Sequence, residues 1–374
     1  HGSLDPATLA ADLTAAAELT DPAVVGRLAA GIALRSAAAT VKLRGPLARM
    51  TVAATAEIGG FSGDGVAVGR IAANLDGVLD SQRFDGRFDA GFAHIGGEKD
   101  GGEIDLTGTA RLDLASGALG IAATATAARL APLSRLAGLD LAGGAVATVA
   151  LDSPDWGATA AGTLDLRLDG LASAGLPLAP TLGRAPRLTA TIGALSADGI
   201  AIPDFALSGA NLAATGRAAI RDGWSAVELT AALRGHDLAG WRDTAGVALA
   251  GRARATVRVD GALADLDGSA DIDLDGLSVE GAGPLKGRVT IRARHLAGAP
   301  AGTVTAALTG PYGPLDAATK FALTGPDTLA LKEITLAGFG GRAGGEGALE
   351  LASGLADGAL DATFGDLASA GALA

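Results

Sequence analysis

The 374 residues carry 41 acidic and 29 basic side chains, a net charge of −12, and no cysteine. So acidic a chain lacks the basic face that nucleic-acid phosphates demand, and without cysteine it can form no disulfide, thiolate metal site or cysteine nucleophile. Glycine, at 57 residues, is about twice its usual share and aromatics are only 3%; small side chains fill a thick core poorly, so a thin or tubular architecture is expected.

Along the chain, His1-Gly2-Ser3 reads as a cleavage scar and residues 1–20 as an incomplete leading strand or strands, so a fragment of a longer protein is expected. Asp21-Pro22 opens a candidate helix over about 21–31, with Asp as N-cap and Pro in the first turn. Next comes AAATVKLR at 37–44, where Val41 and Leu43 alternate with Lys42 and Arg44. Period-two alternation describes a strand with one apolar and one wet face. The same reading puts Leu112 and Leu114 inside and Asp113 outside. A second helix is expected near 129–138, where Leu130, Leu133, Leu136 and Leu139 step by threes. Strands follow in AVATVALD at 145–152 and in GTLDLRLDG from Gly162. Val149, Leu151, Leu164, Leu166 and Leu168 are their interior residues, with Asp165 and Arg167 in solvent. A third helix is expected near 236–246. RARATVRVD, ending at Asp260, and DIDLDG, from Asp271, then place Val257, Val259, Ile272 and Leu274 inside and Arg258 and Asp273 outside. The start of a last helix falls from 366. Asp-Gly pairs at 85, 169, 198, 222, 260, 267, 275 and 357 are expected to turn tight hairpins between consecutive antiparallel strands.

The pattern repeats. Ala39-Thr40-Val41, Ala147-Thr148-Val149 and Ala255-Thr256-Val257 stand 108 residues apart, as do Gly108 and Gly216. RLAPLSRLAG at 129 answers DPAVVGRLAA at 21. A period this long is a multi-strand module. The modules are placed at 21–128, 129–236 and 237–365, the third about 20 residues longer with the extra length within about 280–345, and 366–374 begins the next. A G- and C-rich genome would explain the composition but not this register. Stacked modules work through an extended shared surface.

Catalytic and metal motifs are incomplete. Asp271, Asp273, Asp275 and Gly276 imitate a calcium loop, but its twelfth position is Ala282 rather than Glu. Gly338-Phe339-Gly340-Gly341-Arg342-Ala343 fits a dinucleotide fingerprint, but the glycines after it oppose the helix such a site must open. Gly59-Gly60-Phe61-Ser62-Gly63-Asp64 is not tandem, as calcium-binding glycine repeats are. His94, His236 and His295 lack a metal-type spacing, and no nucleophile elbow is present. No catalytic residue, metal or cofactor is assigned, and the chain is read as no enzyme.

The segments 129–152 (RLAPLSRLAGLDLAGGAVATVALD), 162–173 (GTLDLRLDGLAS) and 249–279 resemble the TamB family of AsmA-like proteins of the Gram-negative envelope. The resemblance implies a periplasmic, inner-membrane-anchored protein whose body is a long bent β-sheet, taco-like, with a greasy interior. It also implies cooperation with TamA, an outer-membrane barrel, and a role in lipid transport or barrel assembly. The family's N-terminal anchor and C-terminal domain are not found in these residues, so docking to a TamA-like barrel is expected through parts of the protein outside them.

The residues lead the same way without the resemblance. A sheet with one apolar face must bury it, and few helices or bulky side chains are available to cover about seventeen strands. An elongated antiparallel sheet curled around its apolar face would leave a groove of roughly 80 Å, at about 4.8 Å per strand. Phospholipid acyl chains fit such a trough, since shielding a sixteen-carbon chain is worth on the order of 12 kcal/mol at about 0.8 per methylene. Its candidate lining is Val41, Leu43, Leu112, Leu114, Val149, Leu151, Leu164, Leu166, Leu168, Val257, Val259, Ile272 and Leu274. Nascent outer-membrane strands are a second candidate cargo, through the sheet edges. A β-solenoid adhesin or autotransporter passenger would show rungs of roughly 20–30 residues. A glycan-acting enzyme would need two placed carboxylates and aromatic platforms.

Overall fold

A computed structural model describes the chain apart from residues 6–8, 22–32, 64–65, 97–100, 137–139, 174–177, 243–246, 280–281, 312, 326, 339, 351–354 and 365–374. The expected helices at 21–31 and from 366 therefore lie largely or wholly outside the described residues. The chain divides into two compact units, His1–Ala179 with Gly183–Ala197 and Pro180–Leu182 with Asp198–Ala374.

The first unit holds β1 (Gly2–Asp5), β2 (Ala10–Glu18), β3 (Ser36–Pro46), β4 (Arg49–Gly63), β5 (Val66–Asp80), β6 (Arg83–Ile95), β7 (Gly102–Asp113), β8 (Leu119–Ala127), β9 (Leu141–Ser153), β10 (Thr159–Ser173) and β11 (Arg187–Ser196). The second holds β12 (Gly199–Ser208), β13 (Leu212–Arg221), β14 (Ala226–Gly235), β15 (Leu249–Ala262), β16 (Asp265–Val279), β17 (Ala282–Arg294), β18 (Ala301–Gly310), β19 (Gly313–Leu323), β20 (Thr328–Gly338), β21 (Gly341–Glu350) and β22 (Ala356–Phe364). Within each unit every strand pairs antiparallel with the next. Neither ladder closes into a barrel. The all-β antiparallel architecture is as the alternation required, with more strands than the seventeen inferred.

The 108-residue period is six strands. β3, β9 and β15 begin successive sets and carry Ala39, Ala147 and Ala255. Where described, a short helix precedes each set: α1 (Ala131–Leu136) before β9 and a 3-10 turn (Leu238–Trp241) before β15. Ser134 fastens α1 to the ladder, accepting a hydrogen bond from the Leu141 N–H at 3.0 Å. Asp237 caps the 3-10 turn by accepting from the Ala239 N–H at 2.9 Å, the N-cap role of a short acidic side chain. A further helix, α2 (Leu178–Leu182), was not anticipated in the proline-bearing LPLAPTLG segment. From β15 onward eight strands run before the next expected helix, so one added hairpin matches the extra length of the third repeat.

The Asp-Gly pairs mostly do something other than turn hairpins. Asp222-Gly223 lies in a turn and Asp198-Gly199 at the start of β12. The other six lie inside strands β6, β10, β15, β16 and β22. Gly170 and Gly276 have positive φ angles of 64° and 68° and sit where the β9–β10 and β15–β16 registers shift, so they form bulges.

Elsewhere glycine answers to space. A Cβ at Gly302 would run into the backbone oxygen of Arg292 on the paired strand, whereas one at Gly298 would meet nothing within 4 Å. Gly302→Ala should therefore destabilise the second unit by about 1–3 kcal/mol, as overpacking does. Gly298→Ala should stay within about 0.5 kcal/mol, both read from urea unfolding.

Candidate functional site

Cross-strand register decides which side chains share a surface. In the first unit, Ala17, Ala39, Ala56, Ala73, Ala90, Leu106, Ala125, Ala147, Leu166 and Leu188 are partners in succession from β2 to β11. The neighbouring row on that face is Ala15, Val41, Ala54, Leu75, Phe88, Gly108, Ala123, Val149, Leu164 and Ala190. The second unit repeats the arrangement: Leu207, Ala214, Leu233, Ala255, Ile272, Val289, Ala306, Ala317, Leu336, Ala343 and Ala362 form one row from β12 to β22. No charged side chain interrupts these rows.

The apolar face is only half covered. In β15 the burial alternates strictly, Val257 and Val259 half-buried and Arg258 exposed. Among the described residues only eleven apolar ones besides Pro186 are buried, too few for a second layer to lie over two such faces.

Of the candidate lining residues, Leu43, Leu112, Val149, Leu151, Leu164, Leu166, Leu168, Val257, Val259, Ile272 and Leu274 are half-buried. Val41 shares their face by register but is 37% exposed, its paired neighbours being only Ala15 and Ala54. Leu114 departs from the expectation: it lies beyond the end of β7, in the turn, and is exposed. The alternation in Arg111–Leu114 outlasts the ladder because Asp113 turns the chain, accepting from the N–H groups of Ala115 and Ser116 at 3.0 and 3.1 Å. These bonds hold the Asp113 carboxyl below its usual pKa.

A second apolar feature escaped the sequence reading. In a meander, all turns leading from an odd to an even strand lie along one rim. In the first unit four of the five such turns carry Leu9, Leu47, Leu114 or Trp156; in the second, four of five carry Trp224, Leu263, Leu296 or Leu355. All eight are exposed, Trp156 to 61%. Backbone bonds join neighbouring turns, as from the Leu47 N–H to the Leu9 oxygen at 2.9 Å. α1 and the 3-10 turn occupy the other rim. An apolar residue in alternate turns was the available signal.

The opposite face is polar and paired across strands. Arg44 meets Asp12 at 3.2 Å, Arg111 meets Asp85 at 3.2 Å, and Arg70 meets Glu57 at 2.6 Å. The calcium-like aspartates lie on this face: Thr290 donates to Asp271 at 2.9 Å, Arg288 holds Asp273 at 2.9 Å and Lys286 meets Asp275 at 3.2 Å. Arg187 grips Asp165 with two hydrogen bonds, at 2.8 and 2.6 Å, and Arg167 adds one at 3.1 Å. These bonds, Arg187's first, lower the Asp165 pKa from 3.8 to about 2. His295 Nδ1, just after β17, stands 2.7 Å from Asp265 at the start of β16. In the glycine-bearing segment at the end of β20 and start of β21, Gly338 pairs with Gly341 and Ala337 with Arg342, in a ladder and with no helix opened by the described residues. No protein-family model matches the chain, and no curated protein is significantly similar to it.

Because its folded pKa is depressed, Asp165 contributes stability above the unfolded value of about 3.9 that is lost as pH falls through about 2. Asp165→Asn should flatten the pH dependence of first-unit unfolding between these limits. Circular dichroism of both proteins at stepped pH checks this, and Asp85→Asn serves as the comparison.

Proposed function

We propose that the apolar faces of the two ladders are tracks for phospholipid acyl chains in a periplasmic, TamB-like bridge between inner and outer membranes. The observation that carries this reading is the unbroken succession of apolar partners from strand to strand. A row perpendicular to the strands advances about 4.8 Å at each step, so the ten residues from Ala17 to Leu188 cover roughly 43 Å. That exceeds the length of one acyl chain, which can shift along the row without leaving apolar surroundings. Alanine suits this task, because it keeps the surface apolar while leaving room above it. Nothing in the rows recognises one chain over another, so lipids of differing acyl length are expected to be carried alike. The exposed leucines and tryptophans of the rim give an acyl chain an apolar edge to cross on entering.

The test compares neighbours that face opposite ways. A photoreactive residue at Leu166 should crosslink to lipid at least ten times more than one at Arg167. Leu166→Arg and Leu274→Asp should stop lipid passage with the circular-dichroism spectrum retained, since half-buried charges can reach water while a sliding chain would have to displace their hydration. Native mass spectrometry should find co-purified lipid of mixed chain length. Equal crosslinking from the two faces, or normal lipid carriage by folded Leu166→Arg, contradicts the track.

A further inference from the structure

We propose that the polar face of the second unit binds an acidic polysaccharide along a row of cations, independently of the lipid track. Register places Arg217, Arg258 and Arg292 in one line across β13, β15 and β17, with Thr230 and Ser269 on the strands between. The line continues through Thr303 to Lys320, which pairs with Glu333 at 2.6 Å. All three arginines are exposed.

A parallel row on the same face, two rows away, shows what such a spacing accommodates. There Arg254, Asp273 and Arg288 are successive partners, and the aspartate between the arginines is bound by Arg288 at 2.9 Å. Four residues back along β16, past the row of Thr256, Asp271 and Thr290, the middle position is Ser269 instead. Arg258 and Arg292 thus flank a hydroxyl where the row of Arg254 and Arg288 holds a carboxylate. Arg217 and Arg258 flank Thr230 in the same way. None of the three arginines forms an ion pair among the described residues. Acidic side chains lie on both sides: Glu228, Asp260 and Asp267 form the next row on one, where Glu228 is taken by Arg221 at 3.0 Å, and Asp271 lies in the next row on the other, where Thr290 donates to it at 2.9 Å.

The surface is concave at both places. A cavity of about 490 Å³ is lined by Arg217, Thr230 and Arg258, and one of about 650 Å³ by Ser269, Arg292 and Thr303, with Asp260 in the wall of each. Cations on alternate strands stand about 9–10 Å apart. A sugar residue advances a glycan by about as much as one strand advances the sheet. A glycan with one carboxylate in every second sugar therefore brings an anion between each pair of arginines and sugar hydroxyls to Thr230 and Ser269. Sheet twist, about 20–25° per strand, turns the line by roughly 90° between Arg217 and Arg292. A flexible polymer follows that turn, and a flat anionic membrane does not. The row has no aromatic side chain for a nucleobase to stack on.

The experiment titrates the chain with fluorescein-labelled hyaluronan oligosaccharides, with neutral dextran, polyglutamate and phosphatidylglycerol vesicles as separate arms. Hyaluronan should bind, more weakly as salt rises, and dextran should not. Arg258→Ser with Arg292→Ser should cost at least tenfold in affinity. Ser269→Asp, which keeps every arginine and copies the row of Arg254, Asp273 and Arg288, should cost as much while thermal unfolding is unchanged. Arg254→Ser with Arg288→Ser should change affinity less than threefold. Failure of hyaluronan to bind, undiminished binding by Ser269→Asp, or binding confined to polyglutamate or vesicles overturns the proposal.

Discussion

Everything in these ladders depends on period-two alternation being held in register across many strands. One strand with alternating residues has an apolar side of no great extent. When Ala147 lies opposite Leu166, and Leu166 opposite Leu188, the sides fuse into a surface, and a one-residue slip anywhere would put charges into it. An ordinary sheet hides that surface under helices or a second sheet. Here the described helices are one or two turns long and sit at the rim, so the surface keeps half its exposure. Stability must then come from backbone ladders and lateral contacts along the rows rather than from a deep core.

The polar face guards the register from the other side. Pairs such as Arg44 with Asp12 and Arg70 with Glu57 are exposed, and exposed pairs add little energy. Their value is positional: a two-residue slip of β6 against β7, for instance, would set Arg111 opposite Arg83 or Arg87 instead of Asp85. Asp165, bound by two arginines from adjacent strands, ties β10 to β11 in one alignment. Glycine sets a further constraint: at Gly302 the paired backbone comes so close that a side chain would meet its carbonyl. Charge and close approach both penalise slippage in strands whose alanine rows would tolerate it.

The alternation was legible because strand, face and charge all follow from adjacent residues: Leu166 and Arg167 needed no knowledge of their partners. Features set by the end of a strand were not. Leu114 continues the pattern of Leu112, yet the hydrogen bonds of Asp113 stop the ladder one residue earlier. Asp-Gly pairs misled because a glycine that permits a bulge or a close approach looks the same as one that turns a hairpin; Asp275-Gly276 is mid-strand. Real hairpins such as Leu47-Ala48 and Ser81-Gln82 lack glycine, which is why the strands were undercounted. The rim residues went unread because a single exposed leucine in a turn is unremarkable, and only the meander lines them up.

The two faces differ in what they can discriminate. An apolar row acts through area, and area is insensitive to the identity of what covers it. Replacing one alanine in the row of Ala17 by another small residue alters little. The polar face acts through the position of individual charges. Asp273 gives Arg288 a carboxylate partner, whereas Ser269, two rows away on the same face, leaves Arg258 and Arg292 able to accept an outside anion. Both surfaces arise from the same strands, since a residue's neighbour in sequence always points the other way. Mutations at successive positions of β15 should therefore divide by parity: changes at Val257 and Val259 act on the apolar surface, and a change at Arg258 acts on the charged one.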